Sequence, residues 1–409
     1  MTYLYVTPFF PEHGRHYGSY GYDFVQALKR NSDYDVKVFV PGKGIDYDFN
    51  GCHVYRFPTI NLPSAIFPFL FAKYNINSFL RAVEKAGIDL GSVAVCHGNT
   101  AHCAIYPLAL KNQNPQCLTL LHHHDLDGFG LRLGALRNVW LHKLINFFIV
   151  RRLFNKMDGH VFISKASENS TRVFPDTSWS VYDDYRRLGR GLSMFKPAQI
   201  KNPIILWTGV DTARFNREIR TTRDVGFTIG CVGNFVEVKD HLSLIQAVKM
   251  LKKDITTLRL ELLGTNGVGN YYADAKRFVV ANNMGSYVRF LDNVAQDAMP
   301  EFYRRWDLMV LPSYFEGFGC VYLESWACGT PFIACKGQGI EDVLENDEKD
   351  KWLCHPKEPR DIAEKILNYY RNRYAQKLTG HVSIDELLVP FCKRLKELKG
   401  ELNNERSIT

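Results

Sequence analysis

The sequence predicts an α/β protein of two units in tandem, each a doubly wound parallel sheet with helices on both faces. Three observations carry this. At 409 residues the chain exceeds the size at which one hydrophobic core stops growing. Apolar runs of strand length alternate with helical patterns, as in parallel strands joined by crossover helices. The alternation then starts afresh past the middle of the chain.

The first series opens with a strand at Leu4 to Thr7, a helix from about Tyr20 to Lys29 and a strand at Val36 to Val40. It resumes with strands at Val93 to Cys96 and Leu118 to Leu121, a long helical stretch from about Ala135 to Lys156, and a strand at His160 to Ile163. The second series runs through Thr228 to Val232, a helix at Leu242 to Lys252, and strands at Arg259 to Leu263, Val288 to Leu291 and Leu308 to Leu311. Between Phe195 and Arg220 the turn residues of Lys196-Pro197, Asn202-Pro203 and Thr208-Gly209-Val210-Asp211 cluster, which puts the boundary near Ile205. The expected domains are 1–205 and 206–382. Residues 383–409 read as a charged amphipathic helix and tail that opens on a capping-box pattern, Ser383-Ile384-Asp385-Glu386, is kinked or interrupted at Pro390, and packs back across either domain.

Composition removes several function classes. No segment reaches the roughly 18 uninterrupted apolar residues of a spanning helix. Met1 to Pro8 reads as a strand rather than a signal peptide, so the expected location is the cytoplasm. Ten cysteines are scattered singly without a Cys-x-x-Cys pair, which suits reduced core thiols rather than zinc ligands. A net charge of +8 without basic runs interleaved by aromatics argues against nucleic acid and suits an anionic substrate or lipid surface. Trp140, Leu141, Leu144, Phe147, Phe148 and Phe154 interleave with Arg137, Lys143, Arg151, Arg152 and Lys156. That stretch is either a core helix with a basic outer face, the preferred reading, or a peripheral contact with the inner face of the cell membrane.

The segment from Pro312 to Pro331 follows a strand and enters a helix. Gly317 and Gly319 let the backbone approach a ligand, and the helix presents its positive dipole end, so an anion is expected near Gly319, Cys320 and Val321. Ligands of open parallel sheets bind at the carboxyl ends of strands, where this loop emerges. Glu316 and Glu324 flank it with acceptor-only carboxylates, which suit sugar hydroxyls rather than phosphate. After the first strand of the second series, Lys239 is placed to set its ammonium on a diphosphate.

The stretch Glu316 to Glu324 resembles the Glu-x7-Glu signature of glycosyltransferase family 4, retaining enzymes of GT-B architecture. Its context is similar too: Met299-Pro300-Glu301-Phe302-Tyr303 and Trp306-Asp307-Leu308 lie upstream, and Lys336-Gly337-Gln338-Gly339-Ile340-Glu341-Asp342-Val343 downstream resembles the branch that builds capsular, teichuronic or exopolysaccharide chains. The resemblance is specific from about Leu206 to Asp361. It implies two Rossmann-like domains facing across a cleft, the N-terminal one binding acceptor and the C-terminal one binding nucleotide-sugar. Glu316 would contact the donor sugar, the backbone from Gly317 through Phe318 and Gly319 to Val321 would hold sugar and diphosphate, Glu324 would bind ribose hydroxyls, and Val294 would meet the nucleobase. Lys239 falls on the second position of the family's Arg-x4-Lys pair, but the first position is Asn234, which can still donate a neutral hydrogen bond; either Arg15 or Arg289 is a candidate to supply the missing charge, or the enzyme is slower.

In the N-terminal half, Gly18 and Gly21 resemble the family's flexible loop near the donor phosphates. His122-His123-His124-Asp125 resembles its His-x-x-Asp, which makes His122 the residue lining the reaction centre and Asp125 its neighbour; His97, just after the preceding strand, is an additional candidate by position. A metal reading of this stretch, with Asp127, finds few further ligands. The implied function is retaining transfer of a sugar from a nucleotide-sugar, a UDP-sugar foremost, to a glycan or lipid-linked glycan in cell-surface polysaccharide synthesis, with no cofactor and no metal. The alternatives are an inactive GT-B scaffold or regulatory subunit, supported by Asn234, and a sugar-nucleotide epimerase. A nicotinamide-dependent dehydrogenase lacks its Gly-x-Gly-x-x-Gly after the first strand.

Overall fold

The computed structural model describes residues 1–12, 19–60, 71–124, 126, 148–173, 198–217, 226–267, 269–291 and 294–407. Gly18, Arg15, Asp125, Asp127 and most of the aromatic and basic stretch before residue 148 lie outside them. The chain divides into two compact units, 1–208 with 384–409, and 209–383.

The first unit is built on an eight-stranded sheet. Its strands are β1 (Thr2–Val6), β2 (Asp35–Pro41), β3 (Tyr47–Phe49), β4 (Cys52–Phe57), β5 (Val93–Asn99), β6 (Leu118–His123), β7 (Gly159–Phe162) and β8 (Pro203–Ile205), in the order β3-β4-β2-β1-β5-β6-β7-β8. All pairings are parallel except that of β3 with β4. Every residue of β5 and of β6 is buried, as expected of central parallel strands covered on both faces. Both strands run further than their apolar cores predict, because His97, Gly98 and Asn99 continue β5 and His122 and His123 continue β6.

Helices α1 (Ser19–Asn31), α2 (Ala72–Lys85), α3 (Ile105–Gln113) and α4 (Lys165–Arg172) connect these strands. Residues 148–154 are helical, with Val150 and Phe154 buried, so the described end of the basic stretch packs into the core.

The second unit holds six parallel strands: β9 (Phe227–Val232), β10 (Leu258–Leu263), β11 (Val288–Leu291), β12 (Leu308–Val310), β13 (Phe332–Cys335) and β14 (Leu353–Cys354), in the order β11-β10-β9-β12-β13-β14. Its helices are α5 (His241–Leu251), α6 (Tyr271–Ala281), α7 (Met299–Arg305), α8 (Cys320–Ala327), α9 (Lys349–Trp352) and α10 (Pro359–Asn372). In each sheet the strand order reverses beside its first strand, between β1 and β5 and between β9 and β12. Those crevices, at the carboxyl ends, are where such sheets take ligands.

The last helix, α11 (Ile384–Ser407), belongs to the first unit. Ile384, Leu388, Phe391, Cys392, Leu395 and Leu398 form one buried stripe that joins Phe24 and Leu28 of α1 in the core. Asp385 anchors its start by accepting from Arg30 at 3.0 and 2.9 Å and from Asn31 at 2.7 Å. Pro390 was expected to kink or interrupt this helix; the helix runs through it without interruption. Pro390 and Glu386, four residues before it, are both exposed, so the proline stands on the solvent side of the helix. The first unit ends three residues beyond the expected boundary because the Leu206 N–H still bonds to Phe162 of β7 at 2.8 Å.

Candidate functional site

The loops after β9 and β12 meet at the crevice of the second sheet. The Ser313 hydroxyl and the Tyr314 N–H both donate to the Val238 carbonyl, at 3.1 and 3.0 Å, which ties the two loops together. The Tyr322 hydroxyl donates to the Leu311 carbonyl at 2.7 Å and fixes α8 to the end of β12. Gly319 caps α8 with φ +86°, and a Cβ there would come within 2.5 Å of the Tyr322 ring, so this turn requires glycine. Cys320 and Val321, half-buried, form the first helical turn. Gly317 and Phe318 are buried behind them.

Across this crevice the Lys239 ammonium donates to a Glu316 carboxylate oxygen. Glu316 is held from behind: its N–H donates to Gln338 Oε1 at 2.7 Å, and the Gly339 N–H donates to its carbonyl at 3.3 Å. Glu324, one and a half turns into α8, accepts from the buried Tyr303 hydroxyl at 2.8 Å. Burial, reinforced by that carboxylate, holds the Tyr303 hydroxyl well above the ordinary tyrosine range, so it stays a donor. Asn234 sits exposed after β9, its side-chain oxygen accepting from the Thr265 hydroxyl at 2.6 Å. The Gly233 and Phe235 N–H groups donate to Leu263 and Thr265 at 2.9 Å, which presses this loop onto the one after β10. Val294, half-buried, follows β11 beyond two residues outside the description.

Arg289 does not join them, which corrects the expectation that it replaces a cation at Asn234. It lies in mid-β11, opposite Glu261 in β10, with its guanidinium 3.6 Å from that carboxylate. Arg305 and the Trp306 indole also bind Glu261, so this is a structural network on the face of the sheet.

Asp240, beside Lys239, has φ +51° and caps α5; burial pushes its carboxyl up to about 6. The adjacent His241 is buried against the Phe235 ring, and burial brings it down to about 4.

At the crevice of the first sheet the side chains are polar and neutral, with His97, His122 and Asn99 buried and His124 half-buried. His97 and His122 stack with ring centroids 5.3 Å apart, and His124 lies 4.0 Å from His122. The Tyr3 hydroxyl meets His97 Nδ1 at 2.6 Å. Burial brings His97 and His124 down to about 3 and His122 well below the ordinary histidine range, so all three are neutral imidazoles at pH 7. Asn99 donates to Thr7 at 2.9 Å beside them, and Thr100, with φ +85°, begins the loop after β5. Among the described residues no three His, Cys, Asp or Glu side chains are grouped as metal ligands.

The sequence reading assigned no role to Gln338, Tyr303, Thr265 or Asp240. Gln338 was legible through β13: recognising Phe332–Cys335 as a strand places it at a carboxyl end. Tyr303 and Thr265 reach the site only through packing.

Comparison with known proteins agrees with this geometry. Residues 213–380 match the family model described as glycosyl transferases group 1. An uncharacterised glycosyltransferase of Methanocaldococcus jannaschii is 30% identical over 358 residues, covering 86% of this chain and 85% of its own. A D-inositol 3-phosphate glycosyltransferase of Pseudarthrobacter chlorophenolicus is 34% identical over 146 residues, 33% of this chain and 34% of its own.

Among solved structures, sucrose-phosphate synthase from Thermosynechococcus elongatus superposes with a TM-score of 0.66 at 15% identity over 100% of this chain and 98% of its own. Anabaena HepE in complex with UDP superposes with a TM-score of 0.63 at 16% identity over the whole of both chains. Two parallel-sheet α/β units of this kind make the GT-B fold of a glycosyltransferase. The chain belongs to the group 1 glycosyltransferases.

Proposed function

We propose that this glycosyltransferase moves a sugar from a UDP-sugar to a hydroxyl of a glycan or lipid-linked glycan, with retention of anomeric configuration, in the synthesis of cell-surface polysaccharide. The observation that carries the proposal is the Lys239–Glu316 pair at the crevice of the second sheet, beside the N-terminal turn of α8. The GT-B neighbour HepE, solved with UDP and with UDP-glucose, supports the choice of nucleotide.

In this reading the donor diphosphate lies along Gly317, Phe318, Gly319, Cys320 and Val321, on the positive end of the α8 dipole. Its charge draws the Lys239 ammonium, and Glu316 turns its carboxylate to the hydroxyls of the donor sugar. Glu324 accepts from the ribose, held in place by Tyr303. Asn234 adds a neutral amide donor, and Val294 faces the base. As the bond between the anomeric carbon and the β-phosphate oxygen breaks, negative charge grows on the diphosphate, where Lys239 and the helix terminus stabilise it. The acceptor oxygen bonds to the anomeric carbon on the face the phosphate leaves, and its proton passes to the departing phosphate oxygen. Nucleoside diphosphate and glycosylated acceptor are the products.

Thermal-shift and hydrolysis assays against UDP-, GDP-, ADP- and dTDP-sugars test the reading, with Glu316→Ala and Lys239→Ala alongside. Stabilisation and turnover confined to UDP-sugars and lost in both variants are expected, and proton NMR of the product reads the anomeric configuration. Silence with every donor would favour a non-catalytic subunit instead.

A further inference from the structure

A second charged feature lies in the first unit, away from the strand crevice. On α2, Lys73, Asn77, Arg81 and Lys85 recur at every fourth residue and so form one stripe about 18 Å long. Between this stripe and the end of β4 is a pocket of about 350 Å³ whose polar walls are Arg56, Asn77, Ser78, Arg81 and Lys85. A second depression, lined by Phe71, Lys73, Tyr74 and Asn77, shares Tyr74 and Asn77 with it, so the two form one groove.

Arg56 is fixed in this wall. Its guanidinium pairs with Glu12, donates to the Lys43 carbonyl at 3.3 Å and lies 5.2 Å from the centroid of the Tyr47 ring. Gly44 closes over its stem at φ +133°, where a Cβ would stand 2.9 Å from Arg56 Cδ. Arg81 and Lys85 are different: both are exposed, and among the described residues neither has a carboxylate within ion-pair distance. They stand four residues apart on one helix face, a spacing at which like charges repel. Glu12 is bonded to Arg56, and Glu84 sits exposed beside the stripe on the same helix. Four cations, Arg56, Lys73, Arg81 and Lys85, therefore outnumber the carboxylates at the groove, with the Asn77 amide and Ser78 hydroxyl as neutral donors between them.

We propose that this groove between α2 and β4 is an anion site that takes a phosphate ester, with Arg81 and Lys85 as its main ligands. An Arg fork beside a Lys point charge suits a tetrahedral dianion or a diester, and the exposed Tyr74 ring offers a face to the group that carries the phosphate. Soluble phosphate esters and the headgroup of an anionic lipid share this chemistry.

The test uses the full chain and compares wild type with Arg81→Ala/Lys85→Ala and with Lys239→Ala. Inorganic phosphate and glycerol phosphate are titrated by calorimetry. Sedimentation with phosphatidylcholine vesicles, with and without phosphatidylglycerol, reads lipid binding. Losing charge-assisted hydrogen bonds in the double variant is expected to weaken phosphate binding by about tenfold or more, whereas Lys239→Ala leaves this site intact. UDP-sugar hydrolysis stays unchanged in the double variant, so loss of the groove and loss of the donor site are told apart. Binding only to phosphatidylglycerol vesicles, abolished by the double variant and retained by Lys85→Arg, identifies the lipid headgroup as the source. Phosphate and vesicle binding both absent, or undiminished in Arg81→Ala/Lys85→Ala, overturns the proposal.

Discussion

The two crevices lie at equivalent places in two sheets of similar topology, yet they are opposite in chemistry. At the β9/β12 crevice, Lys239 and Glu316 form a salt bridge, partly exposed, beside a helix terminus. At the β1/β5 crevice, His97 and His122 are fully buried and neutral, with His124 against them. The first arrangement suits a ligand whose charge grows during reaction. The second suits uncharged groups that exchange hydrogen bonds. One topology thus serves two tasks, because side chains at the strand ends, not strand order, set the local electrostatics.

This contrast breaks most readily at the charged crevice. Removing one preorganised partner of a developing charge costs roughly 10²-fold to 10³-fold in kcat. Glu316→Ala and Lys239→Ala are each expected to fall in that range in steady-state turnover, whereas His97→Gln, in the other crevice, leaves donor binding unchanged.

The next effect separates the units by pH. Unfolded histidines titrate near about 6.5, while His97 and His124 are held at about 3 by burial. Between those values the unfolded chain binds more protons than the folded one. The first unit's stability is therefore full above about pH 6.5 and falls as pH drops, by up to roughly 1.4 kcal/mol per pH unit for each such histidine. In the second unit His241, at about 4, acts in the same direction. Asp240 opposes it: with its carboxyl raised to about 6, its contribution is full below about pH 3.8 and is lost as pH rises towards 6. Hydrogen exchange at pH 7.5 and pH 5 should therefore show β5 and β6 losing protection well before β9 and β10. Equal loss in both sheets would refute the assignment of neutral buried imidazoles.

A smaller effect sharpens the donor side. In the proposed donor geometry Asn234 offers a neutral amide where the resemblance expects a cation, so Asn234→Ala should weaken UDP-sugar binding by only about fivefold, the worth of one neutral hydrogen bond. The smallest effect is at Arg289. Glu261 keeps Arg305 and Trp306 without it, and the Arg289 guanidinium is itself largely exposed and 3.6 Å away, so Arg289→Ala should leave donor affinity unchanged and the melting temperature nearly so.

Much of the site could be read in advance because its residues are close in sequence. Glu316, Gly317, Gly319 and Glu324 lie within one strand-to-helix turn, where local rules apply: glycine for positive φ, a helix terminus for an anion, fixed spacing for two carboxylates. Asn234 and Lys239 were paired only by the resemblance to the family's Arg-x4-Lys pattern. Arg289 was misplaced because sequence gives its nearness to a strand end but not the partner strand that brings Glu261 opposite it. The short strands β3, β4, β8, β13 and β14 escaped for a related reason: runs of two to six residues carry too little periodicity to stand out from a buried helix turn.

By itself, the sequence determined two α/β units, the strand-to-helix loop with its paired carboxylates, and Lys239 in the loop after the first strand of the second unit. Periodicity and turn chemistry are properties of neighbouring residues. Only the tertiary structure decided that Lys239 bonds Glu316 across 77 positions of chain, that Gln338 and Tyr303 support the two glutamates, and that α11 completes the core of the first unit. Those contacts join residues far apart in the chain, and such distances are closed by packing rather than by local pattern.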